Sequence, residues 1–147
     1  MKYLFVFLLL GLVSCGDASG DASKDVTKEK QADDTGDEKS IVVVNGKNVS
    51  TIKIGNLEIM TEDLGRMDWM EATKACADLG DGWRLPTKDE LNILYENKDK
   101  IGGFAYTYYW SSSESNAYNA WYFSFNNGSA YTNDKNNTLY VRAVRAF

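Results

Sequence analysis

Histidine is absent from this 147-residue chain, proline occurs once, cysteine twice, and the net charge is only −5. Without histidine, Ser-His-Asp and Cys-His catalysis are excluded and the commonest metal ligand is missing. From residue 41 onward, eleven basic residues stand against thirteen acidic ones. That balance leaves no electrostatic footprint for nucleic acid, and Arg142 with Arg145 is the nearest thing to a basic pair. After Leu12 there is no second long apolar run, so nothing later in the chain reads as a membrane-spanning helix. Cys15 and Cys76 are the only thiols. With Cys15 modified no intrachain disulfide can form, and Cys76 then reads as a small apolar residue on a helix face.

What is present begins with the layout of a signal peptide. Lys2 supplies a positive start, and Leu4 to Leu12 form an apolar run too short to cross a bilayer. The run closes in Leu12-Val13-Ser14-Cys15, which resembles the bacterial lipobox. The resemblance implies a cleaved signal over 1–14, lipid attachment at Cys15 and a place in the cell envelope. It further implies anchorage to the outer membrane through the N-terminal lipid, with the protein exposed at the surface. Residues 15–40 follow as an acidic tether without aromatics, carrying eight acids and four lysines. So little apolar surface cannot offset the conformational entropy of folding, so disorder is expected there.

A single domain is expected over 41–147. Ile41 to Val44, Asn45-Gly46 and Val49 to Ile54 read as a hairpin, because Asn-Gly supplies the positive φ values of a tight turn. Leu57 to Met60 suggests a further short strand. Asp68 with Glu71, and Thr87 with Glu90, each form a capping box ahead of a helix. The last 44 residues hold thirteen of the nineteen aromatics. There Trp121, Phe123 and Phe125 alternate with Tyr122, Ser124 and Asn126, the period of a half-buried strand whose second set faces solvent. Asn127-Gly128 turns the chain, Ser129 to Thr132 returns, and a loop over 133–138 leads to a final strand from Leu139 to Phe147. The fold class read from this order is α+β.

Gly82-Trp83-Arg84-Leu85-Pro86-Thr87, Tyr109-Trp110-Ser111-Ser112, Ala120-Trp121 and Val141-Arg142-Ala143-Val144-Arg145 resemble the C-type-lectin-like domains of bacterial surface proteins. These include the Fibrobacter succinogenes major paralogous domain and the C-terminal domain of the Legionella collagen-like adhesin. The resemblance spans about Gly55 to Phe147. It implies a C-type-lectin-like domain: two helices, a mixed or antiparallel sheet and a long strand-and-loop C-terminal part. Some relatives carry cysteine where this chain has Ala143, which would leave Cys76 without its partner.

The segment 109–147 also resembles the variable protein of a diversity-generating retroelement, in which an error-prone copy of a repeat rewrites the 3′ end of the gene. Such systems mutate adenines, and Asn codons of the AAC form convert readily to Tyr, Ser, Thr or Asp. The residues of that kind are Ser115, Asn116, Tyr118, Asn119, Tyr122, Ser124, Asn126, Asn127, Ser129, Tyr131, Thr132, Asn133, Asp134, Asn136, Asn137 and Leu139. Apart from Thr132, this set is the expected ligand-binding face. Its chemistry is that of antibody loops: rigid amphipathic tyrosine with adaptable Ser and Asn. The plainer alternative is that these residues are simply common in exposed strands and turns.

The function expected is a tethered, non-enzymatic binder of a protein or glycan on a cell, host or phage, with no cofactor and no nucleic-acid partner. Some relatives bind as multimers, and the sequence gives no oligomeric state. An ordinary carbohydrate-binding adhesin is the alternative, with Asn133, Asp134, Asn136 and Asn137 as possible calcium ligands. The Pro-centred motif of calcium-binding lectins is missing, however, since Pro86 is the only proline, and no metal site is expected. The Arg84 to Glu90 stretch resembles formylglycine-generating enzymes too, but their chemistry needs two active-site cysteines. Asp89 and Glu90 are adjacent, so a helix points them apart rather than toward one substrate.

Overall fold

Alternating apolar residues and two left-handed positions build the first strands. The computed structural model describes residues 38–147; the signal segment, Cys15 and nearly all of the tether lie outside them. β1 (Lys39–Val44) and β2 (Lys47–Ile54) pair antiparallel without a break, from Lys39 opposite Ile52 to Val44 opposite Lys47. Asn45 at φ 49° and Gly46 at φ 74° form the turn between them. β3 (Leu57–Met60) pairs with β2. β4 (Gly65–Met67), which the sequence reading did not anticipate, opens a second sheet.

Both capping boxes form. Asp68 accepts the Glu71 backbone N–H at 2.8 Å and starts α1 (Trp69–Ala77); Thr87 accepts that of Glu90 at 3.1 Å and starts α2 (Lys88–Glu96). Each cap contributes about 1 kcal/mol. A four-residue helix, α3 (Lys98–Ile101), follows. The remaining strands are β5 (Tyr108–Glu114), β6 (Asn119–Ser124), β7 (Ser129–Asp134), β8 (Leu139–Val141) and β9 (Val144–Ala146). The sheets run β1-β2-β3-β9 and β4-β8-β5-β6-β7, and β5 and β8 are parallel.

The α+β, C-type-lectin-like layout expected from the sequence is therefore corrected. Strand makes up 43% of the described residues and helix 20%, in sheets of four and five strands, so the fold is mostly β. The helices are short, and four strands precede them where the sequence suggested three. The expected final strand from Leu139 to Phe147 is in fact two strands in different sheets. β8 lies beside β5, while β9 pairs with β3, and the chain changes sheets at Arg142-Ala143.

The crossing is held by the fully buried Arg142. Its guanidinium donates to Asp63 at 2.7 Å, to the Met60 carbonyl at 2.9 Å, and to the Gly102 and Gly103 carbonyls at 3.2 and 2.7 Å. It also lies 3.9 Å from the centre of the Phe104 ring. Gly103, at φ 69°, has no room for a side chain, because a Cβ there would fall 2.2 Å from the Thr61 carbonyl oxygen.

Two apolar clusters flank the five-stranded sheet. One gathers Trp69, Ala72, Cys76, Trp83, Leu85, Trp110 and Ala143 around α1; the other gathers Leu91, Leu94, Tyr109, Phe123 and Phe125 around α2. Tyr109 and Trp110 are neighbours on β5, so strand geometry sends one into each cluster.

Candidate functional site

The cover that α1 gives to its side of the five-stranded sheet stops short of β6 and β7, and tyrosines occupy the open part. Tyr122 on β6 stands opposite Tyr131 on β7 and Trp110 on β5, so all three share a face. Trp110 is the buried end of that row. The rings of Tyr122 and Tyr131 are 5.7 Å apart, and Tyr108, two residues before Trp110, meets Tyr122 edge-on at 5.3 Å. Contacts of this kind contribute about 0.5–1.5 kcal/mol each beyond the area they bury. Burial raises the Tyr122 phenol pKa above its ordinary value, and the nearby Tyr108 and Tyr131 phenols add to the shift. The Tyr122 hydroxyl is therefore a protonated donor at neutral pH.

The expected ligand-binding residues are spread along the β6–β7 hairpin. At one end, Ser115, Asn116 and Tyr118 are exposed in the loop before β6, and Asn119 is half-buried. Asp134, Asn136 and Asn137 are exposed near them, and Asn133 is half-buried. At the other end Asn126 and Asn127 are exposed in the turn over 125–128, and Ser129 is half-buried. Tyr131, 43% exposed, stands between the ends, with Thr132 exposed beside it. Six strand residues separate the ends by about 20 Å.

Three residues of that set are not on an open surface. Ser124 is 1% exposed and Leu139 8%, and Tyr122 is half-buried against the α1 cluster. The simple alternation of inner and outer residues fails because the sheet is covered on both sides over part of its width. On the supposed inner face, Trp121 is only half-buried, and the Lys88 ammonium sits 4.5 Å over its ring.

Several Asn side chains also do local structural work. Asn116 accepts the backbone N–H groups of Tyr118 and Asn119 at 2.9 and 2.8 Å. Asn127 accepts from the Ser129 N–H and donates to the Tyr131 hydroxyl at 2.9 Å. Asp134 accepts from both the backbone and side-chain nitrogens of Asn136, and Asn133 accepts from Asn137. These bonds hold the 133–137 loop to itself.

Sequence reasoning missed two members of the site. Tyr108 is exposed, and the alternation Tyr108–Trp110 on β5 was the signal that could have placed it beside Tyr122. Lys135 is the other. Its ammonium donates to Glu114 at 2.6 Å and to the Ala117 carbonyl at 3.0 Å, and lies 4.6 Å over the Trp69 ring. Its backbone N–H reaches the Tyr118 carbonyl, and its own carbonyl accepts from Trp69. One lysine thus ties both loops at that end of the hairpin to the start of α1.

Reactive groups are not gathered at this face. The Cys76 thiol is buried, which pushes its pKa up to about 12, and it lies in the same cluster as Ala143. Ser111, Ser112 and Ser113 brace the irregular end of β5. Ser111 donates to the Trp121 carbonyl at 2.8 Å, the Ser112 N–H to the Pro86 carbonyl, and Ser113 accepts from the Lys88 N–H.

A family model described as the Lcl C-terminal domain matches residues 29–145. No curated protein matches the chain. The family suggests a ligand-binding or adhesin-like domain and names no ligand.

Proposed function

We propose that this chain, which belongs to the Lcl C-terminal domain family, is a non-enzymatic binding protein that holds a partner protein surface on the tyrosine face of its five-stranded sheet. The observation that carries this reading is the contiguous row Tyr108–Tyr122–Tyr131, exposed at Tyr108 and Tyr131 and half-buried at Tyr122 between them, bordered by the Asn- and Ser-rich ends of the hairpin. Tyrosine offers large contact area with few rotors to freeze, and buried aromatic anchors dominate interface energies. A broad face fits another protein better than a small sugar, whose sites are concave. Neither cavity described in the domain, of 440 and 280 Å³, is lined by any of the three tyrosines.

The finer parts of the reading rest on the sequence. Cys15 carries the lipid, the acidic tether spaces the domain from an outer membrane, and the exposed residues of 109–147 are rewritten by a retroelement. Sequencing downstream of the gene tests the last point: the reading requires a near-copy of its final bases, differing at adenines, beside a reverse transcriptase gene.

Binding is tested with the full chain on beads offered to intact bacterial and animal cells and to purified envelope proteins and glycans. Retention on a protein-bearing surface is expected, and Tyr118→Asn with Tyr131→Asn should weaken it by about thirty-fold per lost anchor. Undiminished retention in that double variant would sink the assignment of the face, and retention on glycans alone would sink the choice of partner.

A further inference from the structure

β1 is one edge of the four-stranded sheet, and beyond Lys39 at its start it carries none of the usual protection of an edge. It pairs with β2 over six residues in unbroken register, with no bulge and no proline. On its outer flank the backbone N–H and C=O groups meet no other strand among the described residues. Ile41 and Val43 project from the same face and are 72% and 66% exposed, with Ser50 and Asn48 opposite them on β2, while the buried Ile52 and Ile59 lie farther along that face beside Lys39. An apolar, flat, unblocked edge is a ready site for another strand.

From these features we infer that β1 pairs with β1 of a second copy of this chain, antiparallel about a two-fold axis at Val42. That register sets Ser40 opposite Val44 and Ile41 opposite Val43 of the other copy, so the exposed side chains form two identical apolar pairs. Residues opposite one another share a face, so the pairing joins the two copies into one eight-stranded sheet with an apolar seam at its centre. Charge selects the antiparallel choice. Asp33, Asp34, Asp37 and Glu38 directly precede β1 in sequence, and Lys47 directly follows the Asn45-Gly46 turn at its other end. Antiparallel pairing sets each copy's Glu38 opposite the other's Gly46, at the turn that leads to Lys47 one strand further on, whereas parallel pairing sets the two Glu38 carboxylates side by side. The contact is isologous and closes at two copies. It leaves the tyrosine face free, since that face belongs to the other sheet, and two linked faces would bind a repetitive target more tightly than one.

The area of a single strand pair is below that of most permanent dimers, so a dimer forming in the micromolar range is expected. The test is sedimentation velocity of the full chain in a density-matched non-ionic detergent, from about 1 to 300 μM. The parent mass should double across that range. Ile41→Lys with Val43→Lys, two exposed positions, should keep the melting temperature and remain a monomer throughout. Tyr118→Asn with Tyr131→Asn should dimerise like the parent. A parent that stays monomeric, a lysine variant that still dimerises, or a tyrosine variant that does not, overturns the proposal. None of these outcomes depends on a ligand, so the pairing and the binding reading fail separately.

Discussion

Arg142 reaches four acceptors in the interior. Asp63 accepts from this guanidinium at 2.7 Å and from the Tyr109 hydroxyl at 2.8 Å, so one carboxylate joins both. Burial and the adjacent Asp63 together hold the Tyr109 phenol well above its ordinary pKa. Arg142→Met should cost about 3–5 kcal/mol in urea denaturation, because Asp63 keeps only the Tyr109 hydroxyl and loses its counter-charge, and three carbonyls lose this donor. Arg142→Lys should recover little, since an ammonium lacks the planar fork that serves several acceptors at once. A loss below about 1 kcal/mol would mean that water replaces the guanidinium. In the sequence this residue could equally close a sheet or lie on a surface. No local pattern distinguishes the two, because all its hydrogen-bond partners lie 39 or more positions away.

At the scale of elements, legibility follows the range of the determining contact. The Asn45-Gly46 turn and both capping boxes depend on residues three or fewer apart, and both were readable. The division of the last strand was not, since the pull of β3 on residues 144–146 comes from residues 57–59. The turn after β6 was readable only in part: Asn127-Gly128 lies in it, but the strand ends at Ser124, and the N–H of Gly128 bonds the Ser124 carbonyl at 2.9 Å. Lys135 looked like any loop lysine, yet it braces two loops and α1. Lys135→Ala should speed hydrogen exchange at 115–119 and 134–137 while leaving β1–β3 unchanged. Acceleration spread evenly over the domain would refute a local brace.

The start of α2 carries an acid-sensitive contact of its own. Glu90 receives Arg84 at 2.7 and 2.8 Å and the Thr87 N–H at 2.8 Å. The Arg84 bonds, with the help of Thr87, hold its pKa below the ordinary 4.5 against the opposing effect of burial. A carboxylate depressed in the folded state stabilises the fold above its unfolded value, and that contribution disappears as pH falls through the folded one. Stability should therefore decline below about pH 4.5, and Glu90→Gln should flatten that part of the profile without altering its shape between pH 6 and 8. Identical acid limbs in the two proteins would remove Glu90 from the account.

Across the whole molecule, the part that holds the fold and the part offered to a partner overlap less than the composition of 109–147 suggests, and the boundary between them is testable. Ser115, Tyr118, Asn126, Tyr131, Thr132 and Asn137 are exposed. Tyr122, Ser124 and Leu139 belong to the same expected binding set, yet they are wholly or partly buried. Asn116, Asn127 and Asp134 are exposed, but their oxygens set the turns. Surface substitutions away from special features usually change stability by no more than about 0.5 kcal/mol, whereas cavities and broken turns cost several times that. Two libraries of the full chain, one randomised at the six exposed positions and one at Tyr122, Ser124 and Leu139, should separate under protease challenge of displayed clones. Most of the first should survive like the parent. The second should retain chiefly clones with the parental residue or one of similar volume and polarity. Equal survival would mean that burial does not limit change in this region. The reverse order would place the tolerant positions on the covered part of the face that carries Tyr122 rather than at the exposed hairpin.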